Sequence, residues 1–228
     1  MSYFVTGTDT GVGKTLVSCA LLHAFASYGR RVVGMKPVAA GCDDDINDDV
    51  RQLRAASNVL AGLGQINPYS FTRAVAPHLA ARFGGVRISL DRILEAYSEL
   101  SAQADLVIVE GAGGFCVPLN DDQDGADMVQ LMNIPVVLVV GMRLGCLNHA
   151  LLTAEAIAAR GLPLAGWVAN VVDADMAMMD ENIAALEQRL TAPLLGIVPH
   201  SAQPDARAVA ALLDITLLEP IEPMEAHD

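Results

Sequence analysis

Lysine is nearly absent from this 228-residue chain. Of its 14 basic residues only Lys14 and Lys36 are lysine, the others being arginine, and they face 27 acids for a net charge of −13 and a pI near 4.6. That balance argues against nucleic acid or an anionic membrane surface as a partner. Long hydrophobic runs are missing as well: mean hydropathy is +0.38, yet the longest apolar stretch is roughly Ile134 to Val140, well short of the ~18 residues a membrane span needs. The start, Met1 to Gly7, has no basic segment and turns polar early, so no secretory signal and a cytoplasmic location are expected. Cys19, Cys42, Cys116 and Cys146 form no C-x-x-C pair and share no metal-ligand spacing with histidine; reduced, partly buried thiols are expected. With no internal repeat and no linker, residues 1–228 read as one domain with a loose acidic tail at about 219–228.

What is present is apolar material in short pieces. Hydrophobic residues make up 53% and charged residues 18%, which supports a sizeable core and excludes disorder. The pattern predicts strands over Tyr3–Thr6, Arg31–Met35, Leu106–Val109, Pro135–Val140, Leu164–Val172 and Leu194–Val198. Between them it predicts helices over Lys14–Tyr28, Asn47–Ala61, Ser89–Gln103 with Ser89 as cap, Leu147–Arg160, Met176–Leu190 and Asp205–Leu213. An acidic loop at Asp43–Asp45 and a turn at Asn67–Ser70 complete the reading. Strands alternating with helices define an α/β fold with a doubly wound, mostly parallel sheet.

Three segments carry chemistry. The first, Gly7-Thr8-Asp9-Thr10-Gly11-Val12-Gly13-Lys14-Thr15, lies between a strand and a helix. Its glycines let backbone N–H groups curl around phosphate oxygens, the helix N-terminus adds partial positive charge, Lys14 reaches the outer phosphates and the Thr15 hydroxyl suits Mg²⁺. Five residues separate Gly7 from Gly13, one more than the usual P-loop spacing. The second, Val109-Glu110-Gly111-Ala112-Gly113-Gly114, sets a carboxylate at the carboxyl end of a buried strand, over the crevice where nucleotides bind, and oxygen ligands there suit Mg²⁺. The third, Met35-Lys36-Pro37, ends the second strand, with Asp48 and Asp49 following. Alone, Lys36 reads as a solvated surface charge, but parallel strands bring it to the same sheet edge as Lys14 and Glu110.

Together these residues resemble the dethiobiotin synthetases, P-loop NTPase-like enzymes of biotin biosynthesis. The resemblance rests on Tyr3 to Thr10, Val12 to Thr15, Lys36-Pro37-Val38-Ala39, Asn67-Pro68-Tyr69, Val109 to Gly114, Leu144 to Ala150 and Leu164 to Asn170. It implies carboxylation of 7,8-diaminononanoate by CO2, driven by ATP with Mg²⁺ as cofactor, and closure of the ureido ring through a carbamate and a carbamic-phosphoric anhydride. It implies that Gly11, Val12, Gly13, Lys14, Thr15, Gly111, Ala112 and Gly113 line the ATP phosphates. Thr15, Asp49 and Glu110 would hold the metal, with Asp48 adjacent to the matched acid. Lys36 and Lys14 would be catalytic, with Lys36 by the carbamate and γ-phosphate. Thr10, Lys36 and Ala40 would face the diamine, Ala40 standing where the family often has serine. Asn170 would read the adenine, with Pro199, His200 and Ser201 lining its pocket. Gly145, Cys146, Leu147 and Asn148 would complete the diamine site of the neighbouring subunit in a homodimer, through unpaired N–H groups at a helix start.

Two other classes share the phosphate loop. A nucleotide-driven switch acting on a partner commonly adds a second lysine inside that loop, which this chain lacks. A binding module without catalysis would not need the full set Lys14, Thr15 and Glu110.

Overall fold

The computed structural model describes residues 1–42 and 46–218; the acidic loop Asp43–Asp45 and the tail at 219–228 lie outside the described residues. From the N-terminus run β1 (Ser2–Gly7), α1 (Lys14–Ser27), β2 (Val32–Met35), β3 (Val38–Ala40), α2 (Asp48–Ala56), α3 (Leu63–Ile66), β4 (Tyr69–Phe71), α4 (Pro77–Phe83) and α5 (Leu90–Gln103). Then follow β5 (Leu106–Glu110), α6 (Gly125–Met132), β6 (Val136–Met142), α7 (Cys146–Ala159), β7 (Leu164–Val171), α8 (Met179–Glu187), β8 (Leu194–Val198) and α9 (Ala206–Ala210). No helix among the described residues is long and apolar enough to cross a membrane.

Six strands form a parallel sheet in the order β2-β5-β1-β6-β7-β8. The side-chain period of two sends alternate residues of each strand into different cores. Tyr3 and Val5 of β1, with Val137 and Val139 of β6, pack under α1, where Val17, Leu21 and Phe25 are buried. Phe4 faces the opposite layer, with Ile93 and Leu100 of α5 and Val129 of α6. Leu138, Val140 and Trp167 meet α7 and α8. All residues of β5 and β6 are buried, as continuous apolar strands covered on both faces must be.

The chain leaves β1 toward one side of the sheet for β2 and β5 and toward the other for β6. The carboxyl end of β1 is thus the switch point of the sheet, where α/β folds bind ligands. A separate two-stranded parallel pair, β3 with β4, hangs beyond β2. Tyr69 therefore opens a strand where the sequence suggested only a turn. Three-residue strands are too short for their periodicity to be read. Several helices are shorter than expected: α2 stops at Ala56, α8 spans Met179–Glu187 and α9 spans Ala206–Ala210. Helices α3, α4 and α6 were not legible. Ser89 occupies the cap position of α5, but its side chain makes no capping hydrogen bond.

Candidate active site

The loop from Gly7 to Gly13 turns over the end of β1 and delivers the chain into α1. Gly13 caps that helix at φ 92°, and α1 has neither a side-chain cap nor an acid in its first turn. Its leading N–H groups and its positive dipole end are left for an anion. The Gly13 conformation is one that a side chain would strain, and a Cβ there would lie 2.2 Å from Asn170 Nδ2. Asn170, nearly buried at the end of β7, donates through Nδ2 to Val12 O at 2.7 Å. The loop is thus clipped to β7, two strands away from β1, by a residue read from the sequence as an adenine contact. Pro199, His200 and Ser201 follow β8, which pairs Val198 with Asn170, so they share that edge and are exposed.

Below the loop, four residues from four segments meet. Thr15 Oγ1 lies 2.9 Å from both Asp49 Oδ1 and Glu110 Oε1. Lys36 Nζ donates to Asp49 Oδ2 at 2.9 Å, to Glu110 Oε1, and weakly to Gly111 O at 3.4 Å. Glu110 is 1% exposed and Lys36 5%, so neither is a solvated surface charge. Asp49 faces this cluster, whereas Asp48 points outward to Arg51 with 82% of its side chain exposed. Burial pulls the Lys36 pKa down, but Glu110 and Asp49 outweigh it and hold it above its usual value. Burial raises the Asp49 carboxyl, and Lys36 and Thr15 reverse this to a net lowering.

Lys14 differs from its neighbour. Its Nζ donates to Asp9 O at 2.9 Å. Burial and then the repulsion of Lys36 bring its pKa down to about 8, against the partial support of Glu110, Asp49 and Asp9. An anion placed beside it would raise that value again.

A cleft of about 500 Å³ opens beside the cluster. Its lining includes polar Thr10, Lys36 and Asp49 and apolar Val38, Ala74, Val75, Ala76, Pro77 and Val117. Ala40, Ala112 and Gly113 also line it. Gly145 to Asn148 contribute nothing to this cleft. They form the start of α7, where Gly145, Leu144 and Asn148 are exposed and Cys146 is buried. The N–H groups there are not all unpaired, because Cys146 N donates to Arg143 O at 3.0 Å; the arginine carbonyl closes a turn that starts the helix one residue earlier than expected.

Sequence reasoning missed three positioning residues. Buried Asn67 donates through Nδ2 to both Lys36 O at 2.7 Å and Tyr69 O at 2.9 Å, while Lys36 N donates to Ile66 O. Together these fix the backbone of the lysine. Asp9 accepts from the Thr10 amide and from Arg143, tying the phosphate loop to the segment before α7. The Thr10 amide first and Arg143 with it hold the Asp9 carboxyl below its usual range, against the opposing effect of burial. An asparagine ahead of proline was a visible signal for Asn67. The Asp9–Arg143 pair spans 134 positions and left no local one.

Strand, glycine loop, lysine, helix and strand-end acid define a P-loop NTPase. Solved structures agree on the fold: MinD of the MinC:MinD cell division complex of Aquifex aeolicus matches with a TM-score of 0.54 at 15% identity, covering 88% of this chain and 82% of that one. MinD of Pyrococcus horikoshii with Mg-ADP gives 0.51 at 18% identity, with the same coverages. A family model described as an AAA domain matches residues 1–208. Among curated proteins, the ATP-dependent dethiobiotin synthetase BioD of Nitrosospira multiformis is 60% identical over 93% of this chain and 94% of its own. That of Aromatoleum aromaticum is 56% identical over 93% and 96%. The chain belongs to the ATP-dependent dethiobiotin synthetase family, and is an enzyme of the ligase class.

Proposed function

We propose that this chain, as one domain, carboxylates 7,8-diaminononanoate with CO2 at the expense of ATP and closes the ureido ring of dethiobiotin. The observation that carries the proposal is the cleft. It joins the Lys36–Asp49–Glu110–Thr15 cluster, in which Lys36 and Glu110 are buried, and a phosphate loop to apolar lining residues, which suits an aliphatic diamine presented to a nucleotide.

In this reading one neutral amine attacks CO2, and loss of a proton gives the carbamate anion. A carbamate oxygen attacks the γ-phosphorus and ADP departs, leaving a carbamic-phosphoric anhydride. The second amine attacks the carbonyl carbon, and phosphate leaves with the former carbamate oxygen as the ring closes. Phosphoryl transfer asks the protein chiefly for alignment and charge neutralisation. Lys14, released from Asp9 O, meets the phosphates along with the N–H groups of Gly11 to Thr15. Lys36 lies between the phosphate loop and the cleft, where carbamate and γ-phosphate charge would gather. The loop Gly111 to Gly113 would line the phosphates and Thr10 would border the diamine; Asn170 with Pro199 to Ser201 would flank the base. Because Asn170 Nδ2 is already committed to Val12 O, its Oδ1 would do the reading.

The donor set fits Mg²⁺: two carboxylates and a hydroxyl converge, and Glu110 Oε2 is buried with no partner among the described residues. Hard oxygen ligands this few in number match an ion that completes its shell with phosphates and water. Thr15, Asp49 and Glu110 would hold it, and it would supply charge neutralisation at the nucleotide. The exposed start of α7, with Gly145 to Asn148, would serve a second subunit in a homodimer. ADP release that requires both the diamine and bicarbonate is the expected result; ADP release indifferent to either would overturn the proposal.

A further inference from the structure

The cluster already contains a cation. Lys36 Nζ is held by the same two carboxylates that Thr15 Oγ1 touches, and Glu110 Oε1 serves both. Its carbonyl and amide are pinned by Asn67 and Ile66, so only the four-carbon side chain is free to move. One ammonium between two carboxylates leaves a single residual negative charge. A divalent ion entering with Lys36 still in place would meet an ammonium at contact distance in a partly buried site, where like charges repel more than in water. A nucleotide changes this sum, since its phosphates give both the ion and the ammonium a partner.

We infer that Lys36 is the resident counter-cation of the Thr15–Asp49–Glu110 cluster, excluding divalent metal until nucleotide arrives and then moving from Glu110 to the phosphates. The inference rests on the reading that these three residues hold the nucleotide's metal. It makes metal and nucleotide enter together, and gives Lys36 two positions: one that completes the resting cluster and one at the reacting centre. Lys14 behaves in parallel, held on Asp9 O where a phosphate would draw it away.

The chain offers an unusually clean probe, because its only lysines are these two. Labelling with ¹⁵N-lysine yields two side-chain ammonium signals, assigned by the loss of one in Lys14→Ala. Millimolar Mg²⁺ alone should leave the Lys36 signal in place, and Mg²⁺ with a non-hydrolysable ATP analogue should shift both signals. Movement of the Lys36 signal with Mg²⁺ alone, while the Mg²⁺–analogue complex still shifts Lys14, overturns the inference and spares the phosphate site. No response of either lysine to the Mg²⁺–analogue complex overturns both. As a second readout, Mn²⁺ titration by electron paramagnetic resonance without nucleotide should show Lys36→Met binding the ion at least ~10-fold more tightly than the unaltered chain, because a like charge in contact has been removed. Equal Mn²⁺ affinity in the two folded proteins would also overturn it.

Discussion

Replacing Gly13 by alanine tests whether the phosphate loop is held as described. The residue sits at φ 92°, and a side chain in that left-handed region costs about 1–2 kcal/mol. The added methyl would stand 2.2 Å from Asn170 Nδ2 and 3.2 Å from its Cγ, so the amide must leave its 2.7 Å bond to Val12 O. Losing that bond and stranding a buried carbonyl adds about 1–3 kcal/mol. The total is about 2–5 kcal/mol of destabilisation. Gly11 is the internal control: its φ is 74°, but nothing lies within 4 Å of a Cβ there, so Gly11→Ala should cost the backbone strain alone, about 1–2 kcal/mol. Urea unfolding at equilibrium measures both, with unchanged slopes showing that stability moved and not the denatured state. In an Asn170→Ala background the clash disappears, and Gly13→Ala should fall to the cost of Gly11→Ala. Equal costs at the two glycines, or a Gly13 cost unchanged by removing Asn170, would mean that Asn170 does not hold the loop at Gly13.

Lys14→Ala should weaken ATP binding by about 2–5 kcal/mol, since it removes the phosphates' charged partner; calorimetric titration with nucleotide checks it, and unchanged affinity would remove the loop assignment. Lys36→Gln should lower kcat by a factor of ~10² or more with ATP affinity closer to normal, and steady-state kinetics separates the two. Cys19 is pushed up to about 12 by burial first and by Glu110 and Asp49 after it. It should resist alkylation in the native protein at pH 8, while exposed Cys116 reacts at a rate that rises with pH; mass mapping distinguishes them. Because native Cys19 keeps a proton that the unfolded chain gives up from about pH 9, this group should remove at most about 1.4 kcal/mol of stability per pH unit between 9 and 12. Mixing inactive Lys14→Ala chains with inactive Asn148→Ala chains should restore activity if Gly145 to Asn148 complete a neighbour's diamine site; no rescue after confirmed subunit exchange would separate that loop from the site.

Much of the site was legible because its parts are local. A glycine loop between an apolar strand and a helix, and an acid closing a strand, need only their own neighbours to be recognised. Parallel pairing then places Lys36 and Glu110 at one edge without any side-chain detail, since Met35 lies opposite Val109. What stayed hidden depends on distant pairings. Asn67 stands out ahead of Pro68, but only the fold brings its amide to Lys36, and nothing near Arg143 points back to Asp9. The β3–β4 pair was missed because three residues carry no period. Helix α4 begins at Pro77 in its first turn, a start signal obscured by the alanine-rich segment around it. Asp124 and Asp127 cap α6 reciprocally, a start signal that went unread. The choice between Asp48 and Asp49 needed the helix phase of α2, which turns Asp49 inward and leaves Asp48 to Arg51.

In the proposed reaction a carbamate oxygen, and not water, receives the γ-phosphoryl group in this cleft. Single-turnover reaction with enzyme in excess, the diamine and ¹⁸O-labelled bicarbonate in unlabelled water, tests it by mass analysis of the phosphate. Phosphate carrying one ¹⁸O derived from bicarbonate, released in step with ring closure, is the expected product. Phosphate without that label, formed while the bicarbonate pool is still labelled, would mean that water attacked ATP and would contradict the proposed reaction.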